Sequence, residues 1–530
     1  PRLRLQIEDE MRSKLVAACL AITALTGLAA QAWLDTAQAA RPAPVHKMLL
    51  IGIDGGEWSV VEQLWSEGQL PALKSIADAG ITAKLGTAYG QSPVIWNTIA
   101  TGQRPSEHGI TGFTVATPEG DAPVSSTMRK VPALWNLASD AQYTVAALGW
   151  WGAWPAEPVN GVNITERCHT GLDDIAYPAS LQADIRSNLA AIDEKYASRF
   201  PGDANNAPED RVLSWYAPKI AGDDPDLMML YLHGTDPNSH KYWRYYRPGD
   251  FEDASLDEDE ARQNARKITK AYVSVDKVVG QVLEAAGRDE TNVIIVSDHG
   301  FHALDTPIIK VPIDMDQLFS AMGVDYAMNY GTAMNERHKR IRIRVAGRDA
   351  KGRVAMEDLD ARVEDLSERL SALTYTSGQP VFDVRPPSPR ELERGADLAA
   401  DVLFEGYSKV LIDGGRRIEG MVGGIVEVSG GHTGHPPGLF LAAGPDIDPK
   451  GRAEGINIHD IAPTVAYGLG LPVAADSAGR AFIEIFEGAY QASSPMKSVP
   501  TYGSREAGKT TSSTEDTDML ENLRALGYIE

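Results

Sequence analysis

This chain is short of positive charge. Its 530 residues carry 50 Lys and Arg against 73 Asp and Glu, a formal net charge of −23. Such a surface argues against nucleic-acid binding through a basic footprint. A protein this acidic that handles anions needs local positive charge, which bound metal ions can supply. Cysteine is scarcer still, with only two residues. Cys19 lies in the N-terminal apolar stretch and Cys168 has no partner beyond it, so disulfides do not carry the fold. Neither cysteine has metal-ligand spacing. Internal repeats and low-complexity tracts are missing. The apolar run from Leu15 to Ala30 is short for a membrane span. The remainder, 43% hydrophobic and 23% charged, has ordinary globular composition, with length enough for a large α/β domain carrying insertions.

The N-terminus reads as a targeting segment. Translation is expected to start at Met11, with Arg12 and Lys14 as a basic region ahead of the apolar run. Ala37-Gln38-Ala39 then offers a small-x-small cleavage site. Residues 1–40 are therefore assigned to upstream residues plus a signal peptide. Export to the periplasm or medium is expected, with no membrane span left after cleavage.

What is present is a set of short apolar runs that end in ligand-type residues. Val293–Val296 runs into Ser297-Asp298-His299-Gly300, and Met48–Ile53 into Asp54-Gly55-Gly56. Leu227–Leu232 leads into His233, then Asp236 and His240. An apolar run without alternation suits a strand buried on both faces of a parallel sheet. Side chains just past its C-terminal end sit where open α/β sheets bind ligands. Each ending alone could be a polar turn. Asp236 and His240, four residues apart, face one point if the turn becomes helical. His233 reads as a group supporting a ligand or, in preference, as a satisfied core residue.

Two further stretches add to these endings. Ser92-Pro93 is an N-cap and first-turn pair opening a helix over 93–101, so Ser92 sits where free N–H groups and the helix dipole favour an anion. The glycine-rich loop Gly430–Gly438 carries His432 and His435, either of which can act as a ligand. Three carboxylates, three imidazoles and one hydroxyl suffice for two zinc-like sites that share a serine ligand. Trp150, Trp151 and Trp154, after a strand at 144–149, could border a substrate cleft but read in preference as core.

The runs recur over 46–302 and 431–490, assigned to one catalytic domain. Between them, 303–430 changes character: Ile341–Val345 alternates with period two and a helix follows over about 357–373. That segment is expected to be a small α+β insertion or cap. Residues 491–530 are expected to be a flexible linker ending in a short tail helix.

In this order IGIDGG, SPVIWNTIATG, RPSEHGI, GTDPNSH, VSDHGF and GHPPGLFLAAGP resemble the alkaline phosphatase superfamily, in its type I phosphodiesterase/nucleotide pyrophosphatase branch. The resemblance runs over about 47–472. It implies an alkaline phosphatase-like three-layer α/β sandwich with a mostly parallel central sheet. It also implies that Asp236, His240 and His435, with His432 as the alternative to His435, hold one metal ion. Asp54, Asp298 and His299 would hold the other, with Ser92 bound to it as nucleophile. Two divalent ions are implied, zinc first, with manganese or iron able to use the same ligands. Ser92 stands where family phosphodiesterases often have Thr, and Phe113 where an Asn often follows the HGI motif.

The expected reaction is hydrolysis of a small phosphate ester, of diester or nucleotide pyrophosphate type, through a phospho-serine. The alternatives are a phosphomonoesterase on the same site and a non-catalytic protein that keeps the metal residues. A sulfatase is disfavoured because Ser92-Pro93-Val94-Ile95-Trp96 lacks the arginine that formylglycine formation requires. Export argues against a glycolytic mutase.

Overall fold

The computed structural model describes residues 46–506 and Gly508, apart from 118–119, 200–206, 252–257, 311–312, 314, 327, 333–337, 350–351, 394, 404–409 and 420–425. The expected signal peptide and tail helix lie outside the described residues. No helix among the described residues is long and apolar enough to cross a membrane.

The strands of the main sheet are β1 (Lys47–Ile53), β2 (Ile81–Leu85), β3 (Val145–Leu148), β4 (Gly161–Ile164), β5 (Ala176–Tyr177), β6 (Leu227–Leu232), β7 (Thr291–Val296) and, after a long excursion, β10 (Gly438–Ala443). They lie in the order β2-β10-β7-β1-β6-β3-β4-β5. The five from β7 to β4 are mutually parallel, and β10, β2 and β5 join antiparallel at the edges. The unbroken apolar runs follow from burial on both faces. Leu50, Met229 and Ile294 point into one core, and Leu49, Met228 and Ile295 into the other.

Helices cover both faces. The first core takes α3 (Ser92–Thr101) and α7 (Ile461–Gly468). The second takes α1 (Trp58–Ser66), α2 (Pro71–Ala79), α4 (Pro208–Ala221) and α6 (Lys267–Ala286). The molecule is thus a three-layer α/β sandwich around a large, mostly parallel sheet. β6 and β7 both pair with β1, so the connection through α6 passes over β1.

Strands β8 (His302–Lys310) and β9 (Val426–Gly431) pair antiparallel as a stem. Beyond them a four-stranded and a three-stranded sheet surround a separate core that includes Leu366, Leu370 and Phe382.

The flexible linker expected from residue 491 does not begin there. Gly488–Ser493 is helical, and Ser498–Val499 pairs parallel with Val473–Ala474. The Tyr502 hydroxyl donates to Pro472 O at 2.7 Å, Arg505 N donates to Lys130 O at 2.7 Å, and the Arg505 guanidinium joins the buried Glu157 carboxylate. Polar composition suggested a linker, but the partners that fix this segment lie some 25 to 375 residues earlier in the chain.

Candidate metal-dependent active site

Every predicted ligand except His435 comes to the C-terminal edge of the parallel strands. Asp54 ends β1, and its N–H donates to Leu232 O at 3.0 Å, locking it to the end of β6. Asp298 and His299 end β7. Gly55 N donates to Asp298 Oδ1 at 3.1 Å, tying the two strand ends together. The turn after β7 needs Gly300, because a Cβ there would lie 2.6 Å from Glu57 Oε2 and 2.8 Å from Pro437 O. Glu57 holds that turn by accepting from Phe301 N at 3.0 Å.

The turn after β6 does become helical. Helix α5 (Thr235–Tyr246) puts Asp236 and His240 on one face, with His240 Nε2 3.5 Å from Asp236 Oδ1. His240 Nδ1 donates to Gly430 O on the stem at 2.9 Å, and His299 Nδ1 donates to Gly300 O at 3.0 Å. Both rings therefore turn Nε2 inwards, as second-shell hydrogen bonds do for metal-ligating histidines.

Ligand-type atoms gather in two groups: Asp54, Asp298 and His299, and Asp236, His240 and His432. Within each group these atoms lie within 4.8 Å of one another. The groups adjoin, since His299 Nε2 is 3.9 Å from Asp236 Oδ1 and the His432 ring stacks on His299 at 3.8 Å. His435 belongs to neither group. His432 directly follows the stem strand whose Gly430 carbonyl anchors His240, whereas His435 lies further round the loop, exposed, with φ 56 and its ring against Gly90.

Ser92 is buried and its hydroxyl lies beside Asp298, favouring the ionised carboxylate. It is the first helical residue of α3, with Gln91 as the N-cap rather than Ser92 itself. The difference leaves its Oγ in the first turn, at the positive end of the helix. His108 of the RPSEHGI stretch lies elsewhere. Its Nδ1 accepts from Ile110 N and its Nε2 faces Thr98 Oγ1 at 3.1 Å, bracing α3.

The donor set fits divalent cations. Asp54 Oδ1, both oxygens of Asp236, Asp298 Oδ2 and His299 Nε2 are buried and make no hydrogen bond among the described residues. Burial raises the pKa of Asp54, Asp236 and Asp298, and the neighbouring carboxylates add to the rise at Asp54. Three buried carboxylates facing one another are unfavourable without compensating positive charge. Burial also lowers His299 to about 4 and His432 to about 3, keeping both rings in the neutral form that binds metal.

Residues to which the sequence reading gave no part in the site surround Asp54. The Tyr231 hydroxyl donates to Asp54 Oδ2 and accepts from Trp151 Nε1 at 2.7 Å. His233 Nδ1 pairs with Glu209 Oε1 at 2.6 Å, while His233 and Gly234 N–H groups donate to Asp210 at 2.9 and 2.8 Å. Burial pulls the His233 pKa down, but Glu209 outweighs it and raises the ring to about 9. Tyr231 and His233 flank a strand end and were findable by position. Glu209 and Asp210 open α4 and carry no local signal. Trp150, Trp151 and Trp154 are buried, as their reading as core required.

No curated protein matches the sequence. Among solved structures, murine ectonucleotide pyrophosphatase/phosphodiesterase 5 aligns at 14% identity over 83% of this chain and 100% of its own, with TM-score 0.42. The human form aligns at 15% identity over 83% and 100%, with TM-score 0.40. Phosphonoacetate hydrolase from Sinorhizobium meliloti 1021 aligns at 14% identity over 81% and 96%, with TM-score 0.37. Residues 48–417 match the family described as type I phosphodiesterase / nucleotide pyrophosphatase. With most of its length inside that match, the chain belongs to the type I phosphodiesterase/nucleotide pyrophosphatase family of metal-dependent phosphoric ester hydrolases.

Proposed function

We propose that this chain is an exported hydrolase of small phosphodiesters or nucleotide pyrophosphates, with Ser92 as nucleophile between two divalent metal ions. The observation that supports it best is the juxtaposition of the two ligand groups with the buried Ser92 hydroxyl beside Asp298 at the start of α3. In this reading Asp54, Asp298, His299 and Ser92 hold one ion, and Asp236, His240 and His432 hold the other. Mixed carboxylate and imidazole ligation suits zinc. Two ions bound there would lower the Ser92 hydroxyl pKa and offset charge on the phosphoryl oxygens.

The chain's own groups do the rest. The first turn of α3 aims Ser92 Oγ at phosphorus and directs backbone N–H groups towards phosphoryl oxygens. Ser92 Oγ, its proton passed to solvent, attacks in line as the P–O bond to the alcohol or nucleotide breaks; the leaving oxygen takes a proton from solvent, and water later cleaves the phospho-serine ester from the opposite side, restoring the Ser92 hydroxyl. Apolar neighbours, with Trp151 edge-on to Phe113 at 5.7 Å, limit water on one flank.

Parallel assays of the metal-loaded protein with bis(p-nitrophenyl) phosphate and p-nitrophenyl phosphate test the reading. Faster turnover of the diester supports it. Preference for the monoester makes the chain a phosphatase on the same site, and turnover of neither favours a metal-retaining binding protein.

A further inference from the structure

One imidazole at the site has no role in the two ligand groups. His233 follows β6 directly, is 8% exposed, and its Nε2 makes no hydrogen bond among the described residues. That atom lies 3.9 Å from Asp54 Oδ2, on the carboxylate oxygen opposite the one that faces His299. The ring is held on every other side. Glu209 fixes Nδ1, Asp210 takes the backbone N–H, Tyr231 stacks at 6.1 Å and Trp151 meets it edge-on at 6.1 Å. A buried polar atom left unpaired costs about 1–3 kcal/mol. Two further buried residues, Glu209 and Asp210, are spent on aiming this one. A histidine serving only as core would have both nitrogens satisfied.

We infer that His233, oriented by Glu209, is a substrate-binding residue whose Nε2 hydrogen-bonds a non-reacting oxygen of the phosphoryl group beside Asp54. The inference deepens the proposed function and rests on its premise that a phosphoric ester occupies this edge of the sheet. His233 contacts the substrate, and Glu209 is a positioning residue that acts through it. The pair supplies directional hydrogen bonding where the other neighbours are the Trp151 ring and the Tyr231 hydroxyl already given to Asp54.

The test uses the metal-loaded full chain with inorganic phosphate as probe, measuring phosphate affinity by calorimetry, kcat/KM on a p-nitrophenyl diester, bound metal and thermal melting. His233→Leu is expected to weaken phosphate binding at least about tenfold. It is also expected to lower kcat/KM about 100-fold at unchanged metal content. His233→Gln, which keeps an N–H donor, recovers part of both. Glu209→Gln loses less, and adding it to His233→Leu costs nothing further, because the two act as one unit. Phosphate affinity and kcat/KM of His233→Leu within about twofold of the parent overturn the inference. So does a loss that tracks loss of metal. Should His233→Leu not fold, unchanged phosphate affinity in Glu209→Gln overturns it. A parent that hydrolyses no ester, yet binds phosphate through His233, sinks the proposed function and leaves this inference standing.

Discussion

Asp298 and His299 are useful at the residue scale because their neighbours leave particular atoms uncommitted. Gly55 N occupies one oxygen of Asp298 and Gly300 O occupies Nδ1 of His299, so the remaining lone pairs face the same space as Asp54 Oδ1. His432 and His435 put this logic to a direct test. His432→Ala is expected to reduce bound metal from two ions to about one per chain, whereas His435→Ala retains both. Inductively coupled plasma mass spectrometry on protein dialysed against low zinc reads the difference, and the reverse pattern would return the ligand role to His435. That Asp54, Asp298 and His299 converge was legible because each lies within three residues after an apolar run, so strand position fixes where the side chain goes. The choice between the two loop histidines was not legible. It depends on a turn through positive φ at Gly434 and His435, φ 79 and 56, which adjacent letters do not reveal.

Helix α3 and strand β1 carry the argument at the element scale, because their contact sets where Ser92 stands. Gly52 lets Trp96 press onto β1, and an added Cβ would lie 2.5 Å from the indole Cζ3. Trp96 is fully buried, so it cannot give way. Gly52→Ala is expected to cost about 1–3 kcal/mol, read as a lower urea midpoint. It should also lower kcat/KM by tilting α3, since Ser92 lies one turn before Trp96. An unchanged midpoint would show that the packing tolerates the extra carbon. The helix itself was readable from Ser92-Pro93 and Gly102, but its cap was displaced by one residue, because Ser92 enters the first turn and Gln91 takes the flanking extended conformation. The 498–505 segment was misread for a different reason. Its order comes from a parallel pairing with Val473–Ala474, 25 residues earlier, and from Arg505 on the far more distant Glu157, neither of which local composition reveals.

Electrostatics dominate at the scale of the whole molecule. With the metal removed, Asp54, Asp236 and Asp298 have folded pKa values raised above 3.8, and His233 is raised to about 9. Groups with raised folded values hold protons that the unfolded chain releases, so their stabilising contribution is lost as pH rises. His299 and His432 act in the opposite sense, but their contribution has levelled off once the pH passes 6.5. The metal-free protein should therefore lose stability between pH 6.5 and 9, and divalent ions should restore it by binding only the folded state. Melting scans with and without chelator check this. A chelated protein that gains stability over that range would remove the electrostatic case for two cations.

The central claim is that Ser92 forms the covalent bond to phosphorus. Its most direct measurement is kcat/KM on bis(p-nitrophenyl) phosphate for the parent and Ser92→Ala at equal bound metal. The account predicts a loss of at least about 10³-fold, since a nucleophile's removal leaves only residual catalysis from binding and electrostatics. A Ser92→Ala protein that hydrolyses the diester within a few-fold of the parent would contradict it.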